Sequence, residues 1–221
     1  MYETSKSKAI WGDLEFNILK GKGIDIGCGP DPVFPDASRF DQKQGDANHI
    51  TRYVSDTYDY VYSSHCLEHM NDAASALKEW WKLVKPGGHL FFTVPDEDLY
   101  EQGIFPSLGN PDHKATFTIY KEKSWSPASC NIQNLIADLP NAKVVSLVLQ
   151  DHNYDRKLLS SNGKRPNSLI HSIYFIYLVL NYYLGPKWTF MDPWIKNIHP
   201  IDQTMRPHTL AQIQCILKKM I

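Results

Sequence analysis

The chain has 221 residues, 43% of them hydrophobic and 21% charged, with a formal net charge of -1. That length supports one sizeable core with room for an appended segment, and the near-zero charge leaves no basic excess for a phosphate backbone, so nucleic acid is not an expected partner. Cys28, Cys66, Cys130 and Cys215 lack paired spacing, which excludes a disulfide framework or a cysteine-based zinc site as the organising device and suits reduced thiols.

The first residues are charged and polar with no apolar signal core, so the expected location is the cytoplasm. Ile10, Trp11, Leu14, Ile18 and Leu19 recur near helical spacing and predict a helix over Lys8 to Leu19, broken by Gly21 and Gly23. The run from Gly23 to Asp31 (GIDIGCGPD) reads as a strand ending in a glycine turn, where Gly27 and Gly29 let the backbone bend sharply and approach a ligand. Pro30, Pro32 and Pro35 then predict a shortened helix or an ordered loop. A second strand is expected to end at Arg39 to Asp41, a weaker third near Ile50 to Val54, and a fourth over Asp59 to Ser63.

Asp72 is placed to cap a helix carrying Ala73, Ala76, Leu77, Trp80, Trp81 and Val84 on one face, stopped by Pro86, Gly87 and Gly88. His89 to Val94 reads as a central strand of a covered sheet. Ser126 and Pro127 predict a helix start, with Ala128, Ile132, Leu135, Ile136 and Leu139 as its buried stripe. Lys143 to Leu149 and Ala211 to Leu217 are the last strands. Between them an extra segment spans about residues 153 to 205. Within it, Leu169 to Leu184 is apolar but shorter than the roughly 20 residues a bilayer span needs. A buried helix, an acceptor lid or a homodimer face is expected there, with membrane-surface contact as the alternative use.

A glycine turn after a strand suits several nucleoside cofactors. The dinucleotide pattern needs a third glycine where Pro32 stands, which weakens that reading. With Asp25 two residues before Gly27, the run resembles motif I of the class I S-adenosylmethionine-dependent methyltransferases of the type 11-like group. Asp41, then Gly45, Asp46 and Ala47, then DYVYSSHCLEH (Asp59 to His69) and LVKPGG (Leu83 to Gly88) extend the resemblance. It covers most of residues 9 to 120 and the last two strands.

The resemblance implies an α/β, Rossmann-like fold: one domain over residues 1–221, a mostly parallel seven-stranded sheet with helices on both faces, and the extra segment inserted before the final strand. It implies S-adenosyl-L-methionine as cofactor and S-adenosyl-L-homocysteine as product. Asp25, Gly27, Cys28 and Gly29 would form the cofactor loop. Asp41 would accept hydrogen bonds from both ribose hydroxyls, a fork only a carboxylate fills. Asp46 would meet the adenine amino group, Ala47 the ring nitrogen, and Ser64 and His65 would line the methionine part.

Methyl transfer from a sulfonium is an in-line displacement that needs a positioned acceptor and, for an alcohol, a base. Asp96, the Asp112–His113 pair and the Asp151–His152 pair follow strand ends, and His113 is the favoured base; its bland alternative is a loop histidine ordered by Asp112. The run His65-x-x-Glu68-His69 also matches the inverzincin zinc pattern, but it straddles a strand-to-helix junction, and no metal is expected. Asp96 and Asp112 are weighed as a carboxylate pair for a divalent ion. The phrases VPDEDLY, PSLGNPDHK and AQIQ look similar to methyltransferases found with bacterial polysaccharide biosynthesis proteins. This similarity implies a small-molecule acceptor, an oxygen of a sugar or saccharide intermediate. A nitrogen or carbon methyltransferase and a catalytically idle cofactor-binding module are the alternatives. The aromatic residues of the extra segment suit either a stacking wall for the acceptor or plain core.

Overall fold

A computed structural model describes residues 3–160, 163–184 and 186–221. The elements in chain order are α1 (Glu3–Lys8), α2 (Asp13–Ile18), β1 (Gly23–Ile26), β2 (Ser38–Phe40), β3 (Tyr58–Ser64), α3 (Ala73–Lys82), β4 (Val84–Pro95), β5 (Thr116–Thr118), β6 (Ser129–Asn131), α4 (Ile132–Ala137), β7 (Ala142–Gln150), α5 (Ser168–Leu184), α6 (Asp192–Ile195) and β8 (Gln212–Lys219). The main sheet has six strands in the order β2-β1-β3-β4-β8-β7. β2, β1, β3 and β4 run parallel, and β8 is antiparallel to both of its neighbours. The strand order therefore reverses beside β1, and in such sheets ligands bind past the carboxyl ends at that reversal.

Alternation along β3 builds both layers of the core. Val61 faces one side with Ile24, Ile26, Leu90 and Phe92, where α3 lays down Leu77, Trp80 and Trp81. Tyr60 and Tyr62 face the other side with Phe91 and Ile216, closed by Leu19 and Val33 and flanked by Trp11 and Ile18. Asp72 starts α3 by accepting from the amides of Ala74 and Ser75 at 3.0 and 3.2 Å.

Four expectations change. The helix foreseen over Lys8 to Leu19 begins only at Asp13: α1 ends at Lys8, residues 9–12 turn the chain, and Gly12, whose amide is taken by Glu15 Oε2 at 3.0 Å, caps α2. The third strand near Ile50 to Val54 is instead a 3-10 turn, Ala47–Arg52, capped by Asp46, so the sheet has six strands among the described residues rather than seven. The helix foreseen from Ser126 begins at Ile132, because Ser129–Asn131 pairs with β5 as β6 and Asn131 caps the helix by accepting from the Gln133 amide at 2.8 Å. Leu169 to Leu184 does form a helix, α5, but not a buried one: Tyr174 and Tyr177 are covered, whereas Leu169, Ile173, Phe175 and Ile176 are exposed. No described helix is long and apolar enough to cross a membrane.

Candidate active site

The glycine loop is shaped by two constraints. Gly27 adopts φ +75, and a Cβ there would stand 2.6 Å from Cys66 Cβ and Sγ. Its amide donates to the Phe40 carbonyl at 2.7 Å, tying the end of β1 to β2. Gly29 (φ +50) has open space around its would-be Cβ, so the turn demands glycine there and packing does not. Asp25 holds the far end of the loop: Oδ2 accepts from the Val33 amide at 2.6 Å, and Oδ1 has no hydrogen-bond partner. Burial pushes its carboxyl up to about 7. Asp25 thus acts behind the loop, and neither it nor Cys28 or Gly29 lines the cleft below.

That cleft, of about 800 Å³, opens past the carboxyl ends of β1, β2 and β3 and is lined by Gly27, Asp41, Asp46, Ala47 and His65 among others. Asp41 Oδ2 accepts from the Gly29 amide at 2.9 Å and Oδ1 from the Gln42 amide at 2.8 Å, which fixes the carboxylate across the loop. Asp46 Oδ1 accepts from Asn48 N and Nδ2 at 2.9 and 2.7 Å, bonds that hold its carboxyl below the usual range. The Ala47 carbonyl is fixed by the Trp80 indole N–H at 2.9 Å, so α3 positions the turn. Phe40, Tyr53 and Met70 supply apolar wall. Two anchored carboxylates beside apolar surface and a glycine backbone fit a ribose, an adenine and their linkage.

The opposite end of the cleft is polar. His65 adopts φ +51; its amide donates to the Thr93 carbonyl at 3.0 Å, and its Nε2 lies 2.9 Å from Gln212 Oε1. Ser64, the preceding residue, accepts at Oγ from Thr93 Oγ1 at 3.1 Å and does not line the cleft. Glu68 is fully buried, neither carboxylate oxygen has a hydrogen-bond partner, and burial pushes its carboxyl up to about 8. Burial likewise lowers the imidazoles of His65 and His69.

The three foreseen catalytic residues part company. Asp96 caps the π-helical turn Glu97–Glu101, its Oδ1 accepting from Asp98 and Leu99 amides at 3.1 and 3.0 Å, and burial raises its carboxyl to about 6. Asp112 lines the cleft, exposed, with Oδ2 3.0 Å from His69 Nδ1. His113 is buried. Its Nδ1 lies 2.7 Å from Glu101 Oε1, and its ring packs edge-on to His69, centroids 5.0 Å apart, and against Tyr100 at 5.2 Å. Asp112 therefore serves His69 rather than ordering His113. Glu101 had no signal in the sequence beyond its charge. A second cavity of about 220 Å³ lies against Tyr100, Glu101 and Gly109 on one side and Tyr174, Phe175 and His199 of the extra segment on the other. Loop residues 109–112 thus border both cavities.

A largely parallel sheet with a glycine turn after β1 and an acid closing β2 defines a Rossmann-like methyltransferase fold. The chain belongs to the methyltransferase domain family, whose profile matches residues 12–126, and the cofactor is S-adenosylmethionine. In fold it is similar to a SAM-dependent methyltransferase from Archaeoglobus fulgidus (TM-score 0.50, 13% identity, covering 98% of this chain and 94% of that one). It is also similar to the YcgJ protein from Bacillus subtilis (TM-score 0.51, 12% identity, covering 100% of both chains). Among curated proteins it matches the ubiquinone biosynthesis O-methyltransferase of Aliivibrio fischeri (strain MJ11), 30% identical over 82 residues, 35% of each chain. The Proteus mirabilis (strain HI4320) protein of the same name is 46% identical over 47 residues, 21% of this chain and 19% of that one. The match spans about a third or less of those relatives' length.

Proposed function

We propose that the protein transfers a methyl group from S-adenosylmethionine to an oxygen of a small-molecule acceptor. The observation that carries this reading is one cleft with anchored carboxylates at Asp41 and Asp46 at one end and histidines at the other, beside a second, aromatic cavity. Bound in the cleft, the cofactor supplies an electrophilic methyl carbon on a sulfonium. Asp41 takes the ribose hydroxyls, Asp46 the adenine amino group, Ala47 the ring nitrogen, and the Gly27 loop backs the methionine part. Asp25, Cys28, Gly29 and Ser64 act through the loop and strand ends they hold. His65 lines the reacting end. The second cavity receives the acceptor, and its aromatic walls exclude water and suit a flat ring or a sugar face.

With no cation bound, His113 is the proton acceptor in this reading, although it is buried against His69 and lines neither cavity. A carboxylate on Nδ1 fixes the proton there and leaves the Nε2 lone pair for the substrate, so Glu101 is a positioning residue. Oxygen as the acceptor atom is supported by the name of the curated relatives; a saccharide intermediate is the acceptor class the sequence phrases suggested, and belongs in the same substrate panel as phenols. The exposed apolar residues of α5 leave that helix suited to self-association or contact with a lipid surface.

The test is calorimetric titration with S-adenosylhomocysteine, followed by methyl-transfer assays on sugars and phenols. Binding lost in Asp41→Ala together with wild-type turnover supports the assignment. Equal affinity in both proteins overturns the site, and tight binding with no turnover on any acceptor points to an idle cofactor-binding module.

A further inference from the structure

Glu68, His69 and His113 each offer a ligand-competent atom, and these atoms lie within 4.8 Å of one another. The cluster joins two distant parts of the chain, and the backbone locks that junction: the amides of Lys114 and Ala115 both donate to the Glu68 carbonyl, at 2.7 and 3.2 Å. Each imidazole has its Nδ1 against a carboxylate, His113 on Glu101 at 2.7 Å and His69 on Asp112 at 3.0 Å. That leaves Nε2 of both rings for the centre, and His69 Nε2 stands 4.0 Å from Glu68 Oε1. Between them sits a fully buried carboxyl with no hydrogen bond on either oxygen, its nearest other imidazole nitrogen being His65 Nδ1 at 3.5 Å from Oε1. A carboxyl in such a place either keeps its proton or gives it up to a cation that takes over the neutralisation.

From this geometry we propose that Glu68, His69 and His113 bind a divalent cation, with Zn²⁺ as the best match. Two imidazoles and one carboxylate are a zinc donor set that leaves a fourth position open, and histidines oriented by outer carboxylates are the usual second layer of such sites. Bond lengths of about 2.1 Å put tetrahedral donors roughly 3.4 Å apart, so the three side chains draw inward on binding. The ligand set differs from the one the sequence pattern offered: His65 is held by Gln212 through Nε2 and borders Glu68 through Nδ1 at 3.5 Å, and the third member of the cluster is His113 from the loop after β4.

His69 and Asp112 also line the cleft, so the open position faces the reacting end. On the methyltransferase reading, on which this rests, the cation takes the acceptor oxygen as its fourth ligand. A hydroxyl bound there would lose its proton to water more readily, and the oxygen would attack the methyl carbon with the pair it keeps as the methyl–sulfur bond breaks, that pair passing to the sulfur of S-adenosylhomocysteine. In that arrangement His113 holds the cation and does not itself collect the proton.

The test uses the full chain stripped of metal by chelation, titrated calorimetrically with Zn²⁺, and in parallel with Co²⁺, whose four-coordinate complexes absorb visibly. One Zn²⁺ per chain is expected, with a tetrahedral cobalt spectrum. Glu68→Gln and His69→Ala should weaken binding about 100-fold or more, and Glu101→Gln about 10- to 100-fold. S-adenosylhomocysteine affinity reports whether each variant is folded. Zinc binding that is absent, or unchanged in Glu68→Gln with cofactor binding intact, overturns the metal site and leaves the methyltransferase reading standing. Normal zinc binding with no cofactor binding does the reverse.

Discussion

The two ends of the cleft are built by different means. The end proposed for the cofactor is shaped by backbone: positive φ at Gly27 and Gly29, a carboxylate fastened to the loop, and a turn capped by Asp46. The end proposed for the acceptor is shaped by side chains that converge from His65, Glu68, His69, Glu101 and His113, several of them buried and titratable. Backbone devices need particular residue types at short, regular spacings. A convergence of side chains needs only the fold, and can draw on any part of the chain.

The largest test of this difference is Gly27→Val. The site demands a left-handed backbone and offers no volume beside Cys66, so both steric terms act together. A loss of at least about 3 kcal/mol in chemical denaturation, with S-adenosylhomocysteine binding gone, is expected. Retained binding would mean that the loop geometry is not what holds the cofactor.

Comparable in size is the pH dependence carried by Asp25. Its carboxyl stands at about 7 in the folded chain against 3.8 as the ordinary value. The folded state therefore holds the proton more tightly, so this group's contribution is full below about pH 4 and is lost as pH rises through about 7. The stability difference between wild type and Asp25→Asn should shift by on the order of 4 kcal/mol in favour of wild type as pH falls from 8 to 4. Parallel stability curves would show that Asp25 is solvated.

Asp41→Ala comes third. A carboxylate hydrogen bond to a ligand is worth roughly 1.5 to 3 kcal/mol, so cofactor affinity should fall about 10- to 100-fold while the melting temperature changes little. That outcome would separate a ligand-binding acid from the structural acid two strand-ends away.

The same contrast explains what the sequence disclosed. β1, β2, β3, α3, β4, β7 and β8 were all legible, because caps, glycines and apolar runs act locally on their own neighbours. The missing edge strand was not, since Ile50 and Val54 have strand-like side chains but Asp46 caps the segment and Trp80 fastens its Ala47 carbonyl. The exposed face of α5 could not be read from an apolar run either, because a run without periodicity does not say which side is covered. Asp41, Asp46 and Ala47, singled out from local pattern, line the cleft. Glu101 escaped because its one distinguishing fact is a contact with His113. The pattern His65-x-x-Glu68-His69 was visible, but its chemistry depends on which third residue arrives, and that is a property of the loop after β4.

The smallest effects make the sharpest comparison, because each touches one end alone. Trp80→Phe keeps a smaller aromatic ring in the core and removes the indole N–H that fixes Ala47, so its binding effect is read beside its own loss of packing. Tyr174→Phe keeps an aromatic wall of the second cavity, stacked on His199 with centroids 3.9 Å apart, and removes the hydroxyl that accepts from the Asp202 amide at 2.9 Å. One net hydrogen bond is worth about 1 kcal/mol, so each substitution should move its own binding step by about fivefold. Trp80→Phe should weaken S-adenosylhomocysteine with the acceptor KM unchanged, and Tyr174→Phe should raise the acceptor KM with cofactor affinity unchanged. The two sites share no hydrogen-bond partner, so the double variant should show the sum of the two effects. A departure from additivity larger than about 0.5 kcal/mol would mean that the loop at residues 109–112, which borders both cavities, transmits cofactor binding to the acceptor side.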